Sequence, residues 1–110
     1  MLMSHDNDFL RGLVLLRNDP QLAKRVLHEA RAGNVDAQYA MGLICAEGRG
    51  VPLDLAQAYA WLTAAILQGD RDARTLRNIV GIQMTDEEYA AGKRYAADYV
   101  NLTRNTSESH

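Results

Sequence analysis

The chain contains 110 residues, of which 47% are hydrophobic and 24% are charged, and its formal net charge is −2 at pH 7. This length allows one domain with a hydrophobic core, and the composition excludes an intrinsically disordered chain. The net negative charge argues against binding of nucleic acid through bulk electrostatic attraction, because proteins of that class are usually basic. Cys45 is the only cysteine, which excludes an intramolecular disulfide and a multi-cysteine zinc site.

The longest candidate for an export signal is the segment FLRGLVLL at residues 9–16. It is interrupted by Arg11 and follows Asp6 and Asp8, so its apolar core is too short and the preceding charge has the wrong sign. No segment approaches the roughly 20 apolar residues that a membrane-spanning helix requires. The sequence therefore predicts a cytoplasmic protein that has no membrane partner.

Six segments carry the signals of helices, and alanine and leucine, which favour helices, are abundant throughout. We predict helices over about 6–17, 20–32, 35–47, 55–68, 71–82 and 86–102. The residues predicted to cap helix N-termini are Asp19, Asn34, Asp54, Asp70 and Thr85. Gln57 and Glu88 follow two of these caps at the spacing of a capping box. The glycines predicted to end the preceding helices are Gly33, Gly48 and Gly69.

An internal repeat connects these elements. The segment GNVDA at residues 33–37 recurs as GDRDA at 69–73, and similar helical segments precede both copies at the same offset of 36 residues. One unit of this length is complete, and partial copies lie on both sides. This length is typical of a pair of short antiparallel helices, the unit of an α/α solenoid.

The sequence GRG at residues 48–50 raises the question of a phosphate-binding loop. Such a loop needs its glycines between a strand and a helix, and the nucleotide-hydrolase version also needs a lysine and a serine or threonine. Here the segment follows a predicted helix, and neither residue type follows it. Gly48 and Gly50 are therefore predicted to form a corner, which Pro52 stiffens before the cap at Asp54.

The segment 37–69 resembles the Sel-like repeat, a branch of the tetratricopeptide-like solenoids, with further similarity over 21–36 and 70–80. The residues that carry the resemblance are Gly42, Gly48, Gly50, Val51, Pro52, Asp54, Ala58, Trp61, Ala65, Gln68 and Gly69. The chain departs from the pattern at Cys45 and Leu55, where the family usually has tyrosine, and at Ile66, where alanine is usual.

The resemblance implies an all-α fold, a short right-handed α/α solenoid of about three antiparallel helix hairpins with six helices. It predicts a single domain over residues 1–102, with one full repeat at about 34–69 and partial or capping repeats beside it. Residues 103–110 are polar and are expected to form a disordered tail.

Several side chains are predicted to build the interior of this array. Gly42 lies within a helix, where glycine is tolerated if a facing helix comes close, here at Ala58 or Ala65. Trp61 is predicted to be a buried anchor between hairpins. The last helix is predicted to close one end of the core with four residues at helical spacing, namely Tyr89, Gly92, Ala96 and Tyr99.

No catalytic arrangement emerges from the sequence. His28 has no evident carboxylate or cysteine partner, and His5 with Asp6 and Asp8 indicates at most a weak metal site at the N-terminus. Cys45 within a helix is more typical of a small core residue than of a nucleophile. Most acidic residues lie in first helical turns, where capping and the helix dipole explain them. We predict no enzyme activity, no cofactor and no metal.

The predicted function therefore depends on surfaces. In tetratricopeptide geometry the first helix of each hairpin lines a concave face, and by analogy this implies partner-binding residues, which are Tyr39, Leu43, Glu47, Arg74, Thr75, Ile79 and Gln83. Leu43 and Ile79 would form an apolar strip for a peptide, a helix or a second copy of the chain. Alternatively, either residue packs against the first helix.

The resemblance implies a non-catalytic adaptor or scaffold that binds another protein, with a homodimer possible. Two alternatives stay open, a self-assembling homo-oligomer and a small hydrolase with a site shared between subunits. A third is a regulator that touches nucleic acid through Arg71, Arg74 and Arg77, although Asp70 and Asp72 dilute this basic edge and favour a solvated face. We expect no nucleic-acid partner.

Overall fold

The structure, a computed structural model, describes the backbone of residues 18–108 and the side chains of residues 18–102. This part of the chain forms five α-helices and contains no strand, in agreement with the predicted all-α class. The helices are α1 (Pro20–Arg31), α2 (Val35–Glu47), α3 (Leu55–Leu67), α4 (Arg71–Gln83) and α5 (Asp86–Glu108). The helix predicted over 6–17 and the weak metal site predicted at His5 lie outside the described residues.

The predicted caps determine where the helices begin. Four side-chain oxygens accept hydrogen bonds from backbone N–H groups of the first helical turn, those of Asp19, Asn34, Asp54 and Asp70. At α5 the box is reciprocal, because Glu88 N–H donates to the Thr85 hydroxyl and Thr85 N–H donates to the Glu88 carboxylate. The glycines predicted to end helices have positive φ angles, and they are Gly33, Gly48 and Gly69. These local predictions are confirmed.

The second predicted capping box is only half correct. Asp54 accepts from the N–H of Gln57 at 3.0 Å, but the backbone N–H of Asp54 donates to the carbonyl of Cys45 at 2.9 Å. The side chain of Gln57 instead accepts a hydrogen bond from the hydroxyl of Tyr99 on α5. A tertiary contact has replaced the local one, because the start of α3 faces α5.

The last helix is longer than predicted. It continues to Glu108, whereas the sequence was expected to leave the helix near residue 102 and to form a tail over 103–110. The segment TRNTSE at 103–108 contains no glycine and no proline, the two residues that most strongly end a helix, and polar composition alone does not stop one.

Helix α3 lies at the centre of the fold and packs against α2, α4 and α5, while α1 packs against α2. The connections 32–34, 68–70 and 84–85 are only two or three residues long, so consecutive helices reverse direction. Four alanines of α3 are at most 2% exposed, which allows neighbouring helices to approach from several sides, and they are Ala58, Ala60, Ala64 and Ala65.

A close helix–helix contact forms at Gly42 on α2, but its partner differs from the prediction. An added Cβ atom at Gly42 would lie 2.4 Å from Cδ2 of Leu62, so the facing side chain is Leu62 rather than Ala58 or Ala65. Leu62 is fully buried and fills the space that glycine leaves on α2. The two alanines are also fully buried.

Helix α5 packs along one side of α3, as the predicted closure of the core requires, but Tyr89, one of the four residues predicted to contribute, is 42% exposed. Trp61 is 1% exposed, and its ring stacks on the ring of Tyr99 with centroids 3.9 Å apart. The backbone at Gly92 lies against the side chain of Tyr59, and Ala96 is buried. Trp61 is therefore the anchor that the sequence predicted, and α5 supplies the opposite surface.

The GRG segment is a corner that packs on the start of α1. Gly50 has a φ of 82°, and its N–H donates to Oδ1 of Asn18 at 2.7 Å. An added Cβ at Gly50 would lie 2.7 Å from the carbonyl oxygen of Asp19. The glycine is needed because the backbone adopts a left-handed conformation and directly contacts another segment.

A hydrogen-bonded pair of side-chain amides, those of Gln38 and Gln68, joins three segments. Gln38 is fully buried, and its Nε2 donates to the carbonyl of Ala30 at the end of α1. Nε2 of Gln68 donates to Oε1 of Gln38 at 2.8 Å and to the carbonyl of Gly33 at 2.9 Å. The ends of α1 and α3 are thereby fixed to the start of α2.

Replacement of Gly42 by alanine is expected to lower the free energy of unfolding by about 1–3 kcal/mol, because the new methyl group overlaps the buried Leu62. Gly81→Ala is the matched control within a helix, since its Cβ would meet no atom within 4 Å. The control should gain about 1 kcal/mol from helix propensity. Urea unfolding of both variants measures the difference, and equal effects would contradict the close contact.

Candidate functional site

Three of the predicted partner-binding residues come together on one surface. Tyr39 from α2 and Thr75 and Ile79 from α4 line an open hollow of about 230 Å³, together with Asp72 and Leu76. Ile79 is 50% exposed, and Tyr39 and Leu76 are half-buried. We call these five residues the α2–α4 face. It presents apolar side chains next to a hydroxyl and a carboxylate.

Leu43 does not belong to this face, so the predicted apolar strip is wrong at that position. Its side chain is 8% exposed and lies within the hydrophobic core. Helix α2 is buried on most of its circumference, and its other core residues include Met41, Ile44 and Cys45. A helix that is apolar all round has no single inner face, so assigning Leu43 to an outer position by analogy failed.

The remaining predicted residues are exposed but stand outside the hollow. They are Glu47, Arg74 and Gln83. Gln83 donates from Nε2 to the carbonyl of Ile79 on its own helix, at 3.3 Å. The apolar contact surface of the α2–α4 face is therefore formed without these three side chains.

Ile82 is 86% exposed and was not among the predicted partner-binding residues. It follows Ile79 by three positions on α4, so the two side chains are neighbours along the helix surface. This spacing was visible in the sequence and could have extended the predicted strip toward the end of α4. The apolar surface therefore continues along α4 and not along α2.

The three arginines of the predicted basic edge on α4 do not share one environment. Arg71 and Arg74 are exposed, whereas Arg77 is half-buried and faces α3. Nη1 of Arg77 donates to the hydroxyl of Thr63 at 3.1 Å, and its guanidinium carbon lies 5.2 Å from the ring centroid of Tyr59. The three arginines do not form one continuous surface for a polyanion.

Cys45 is unsuited to nucleophilic chemistry. The side chain is 5% exposed, and burial, followed by the negative charge of Asp54, raises the pKa of its thiol to about 12. The thiolate is the reactive form, so the thiol stays protonated and inert at neutral pH. Cys45 acts as a small apolar residue of the core, as predicted.

Two further observations concern the part of the chain that the structure describes. His, Cys, Asp and Glu side chains do not gather there in groups of three or more that could ligate a metal ion. Over residues 18–108, none of the helices combines the length and the apolar character needed to cross a bilayer.

Comparison with known proteins gives one informative similarity. No family model matches the chain. A stretch of 69 residues is 33% identical to the alginate biosynthesis protein AlgK of Azotobacter vinelandii. This stretch covers 63% of the present chain but only 15% of AlgK, so the chain matches a small part of a much longer protein.

The raised pKa of Cys45 has a measurable effect on stability. The unfolded chain releases the thiol proton near pH 9 and the folded chain only near pH 12, so stability should be complete below pH 9. Between these values the free energy of unfolding should fall by about 1.4 kcal/mol per pH unit from this group.

Urea unfolding at pH 8 to 11 measures this slope, and Cys45→Ala should make it shallower. Burial also raises the pKa values of Tyr59 and Tyr99, which add a decline that the variant retains. Identical slopes in both proteins, or rapid alkylation of the folded wild type by iodoacetamide at pH 8, would contradict the assignment.

Proposed function

We propose that this chain is a non-catalytic protein-interaction module, a short right-handed α/α solenoid that binds a partner protein on the α2–α4 face. The observation that carries the proposal is the half-exposed Ile79 beside Tyr39, Thr75 and Leu76. Apolar side chains edged by polar groups are characteristic of protein-binding surfaces. The module acts in the cytoplasm and needs no cofactor.

The solenoid form is supported by the order of the helices. Each short connection reverses the chain, and α3 packs against α5, the helix two positions later in the chain. Such contacts between alternate helices are expected when hairpins stack on one another. The match to the alginate biosynthesis protein AlgK also supports this form. It covers only 15% of AlgK, as expected if the chain corresponds to a repeat unit within a longer protein.

The size of the hollow favours a protein over a small molecule. Pockets that enclose small ligands usually measure about 300–1,000 Å³, and the hollow of about 230 Å³ is open to solvent. A cavity of this size accommodates one or two side chains of a partner. Ile79 and Tyr39 then provide the apolar contact, and Thr75 with Asp72 surrounds it with polar groups.

Ile79→Asp should abolish partner capture, because it places a charge at the centre of the apolar contact without disturbing the core. Leu67→Asp is the matched control, since Leu67 is also exposed, at 66%, but lies on α3 outside this face. Capture from lysate of the source organism, identified by mass spectrometry and repeated with the purified partner, provides the measurement. Equal losses in both variants, or none in either, would contradict the proposal.

A second candidate function is self-assembly, which Ile82 favours specifically. At 86% exposure it extends the apolar surface of α4 beyond the hollow, and a second copy of the chain could cover it. Sedimentation equilibrium distinguishes this case: a dimer in the wild type that dissociates in Ile82→Asp supports self-assembly, and a monomeric wild type removes it.

A further inference from the structure

Two tyrosine rings lie between two cations in a row across α4, α3 and α5, on a surface separate from the α2–α4 face. The guanidinium carbon of Arg77 lies 5.2 Å from the ring centroid of Tyr59, whose ring contacts that of Tyr89 edge to face at 5.3 Å. Nζ of Lys93 lies 4.8 Å from the ring centroid of Tyr89. The row therefore ends in a positive charge on each side.

A groove of about 500 Å³ adjoins this row between α3 and α5. Tyr59, Thr63 and Lys93 line one part of it, and Thr63 accepts the hydrogen bond from Arg77. The rest of the wall is formed by small or neutral side chains of α5, which are Ala96, Ala97, Val100 and Asn101. We call this surface the α3–α5 groove. The groove combines the positive charge of Lys93, an apolar wall and the side-chain amide of Asn101.

Neither cation is neutralised along its own helix. The positions three and four residues from Arg77, and those from Lys93, contain no aspartate and no glutamate. Glu88 precedes Tyr89, but its carboxylate accepts a hydrogen bond from the N–H of Thr85 at 2.9 Å. Lys93 is exposed, and Arg77 is half-buried with its Nη1 donating to the neutral hydroxyl of Thr63.

We propose that the α3–α5 groove is a second interaction site, which binds an acidic segment of a partner protein. Carboxylate side chains complement the two cations, and the alanine-rich wall accommodates the backbone of an extended peptide. Because both cations already rest on tyrosine rings, they lose little conformational freedom when an anion binds. A long nucleic acid is disfavoured, since the chain has a net charge of −2 and the groove contains Lys93 with Arg77 beside it, too few cations for a polyanion.

This site is independent of the proposed function. Successive residues of an α-helix are rotated by about 100°, so Arg77 and Ile79 project from α4 about 160° apart. A partner on the α2–α4 face leaves the α3–α5 groove accessible. A test of one surface therefore gives a result whether or not the other proposal holds.

The test measures binding of a fluorescein-labelled hexaglutamate peptide to the purified chain by fluorescence anisotropy at low and physiological salt. We expect saturable binding that weakens with salt. Lys93→Gln should raise the Kd about fivefold, and the double substitution with Arg77→Gln should raise it further. Lys93→Arg, which keeps the positive charge, should bind hexaglutamate with a Kd close to that of the wild type. Arg94→Gln is the matched control, because Arg94 is the exposed neighbour of Lys93 and does not line the groove.

Three results would overturn the proposal. The first is the absence of hexaglutamate binding at millimolar peptide in low salt. The second is an equal loss in Lys93→Gln and Arg94→Gln, which would indicate unspecific attraction. The third is binding of oligogalacturonate without binding of hexaglutamate, which would assign the groove to an acidic carbohydrate. Retention of hexaglutamate binding by Ile79→Asp separates this site from the α2–α4 face.

Discussion

The constraint on which the fold depends is that one short helix, α3, must contact three others. A helix surrounded in this way can keep side chains of full size in only a few directions, because interiors are close-packed. Alanine meets this requirement and also has the highest helix propensity, so the same residues form the helix and allow its neighbours to approach. Trp61 and Leu62 are the large side chains of α3 that are fully buried. Trp61 stacks on the ring of Tyr99, and Leu62 occupies the space at Gly42.

This central packing determines where interaction surfaces can exist. Most side chains of α2 and α3 are buried or half-buried, so α4 and α5 supply most of the exposed side chains that could contact a partner. Helix α4 contributes to two surfaces of different chemistry. Ile79 and Ile82 give an apolar surface, and Arg77 turns toward the rings of α3 and α5. One helix thus presents exposed apolar side chains in one direction and a cation in another.

The helix boundaries could be predicted because their causes are local. An aspartate or asparagine cap and a glycine with positive φ act within a few residues, and these signals were correct at α1 to α4. Two other predictions failed because a distant segment decided the outcome. Leu43 is buried because α2 is enclosed, and Gln57 leaves its capping role because Tyr99 offers its hydroxyl. The row from Arg77 to Lys93 joins three helices, and no single-helix pattern reveals it.

The Gln38–Gln68 amide pair has a consequence for how the molecule comes apart. Long solenoids lose repeats one at a time from their ends, since each repeat contacts only its neighbours. Here the pair connects residues 30 positions apart, so separation of the end of α3 from the start of α2 would break the hydrogen bond between the Gln68 and Gln38 side chains together with the apolar packing around it. An intramolecular hydrogen bond contributes about 0.5–1.5 kcal/mol, which adds to the free energy required for local opening. Fraying by whole hairpins is therefore suppressed, and the domain should exchange its core amide hydrogens through a single cooperative opening.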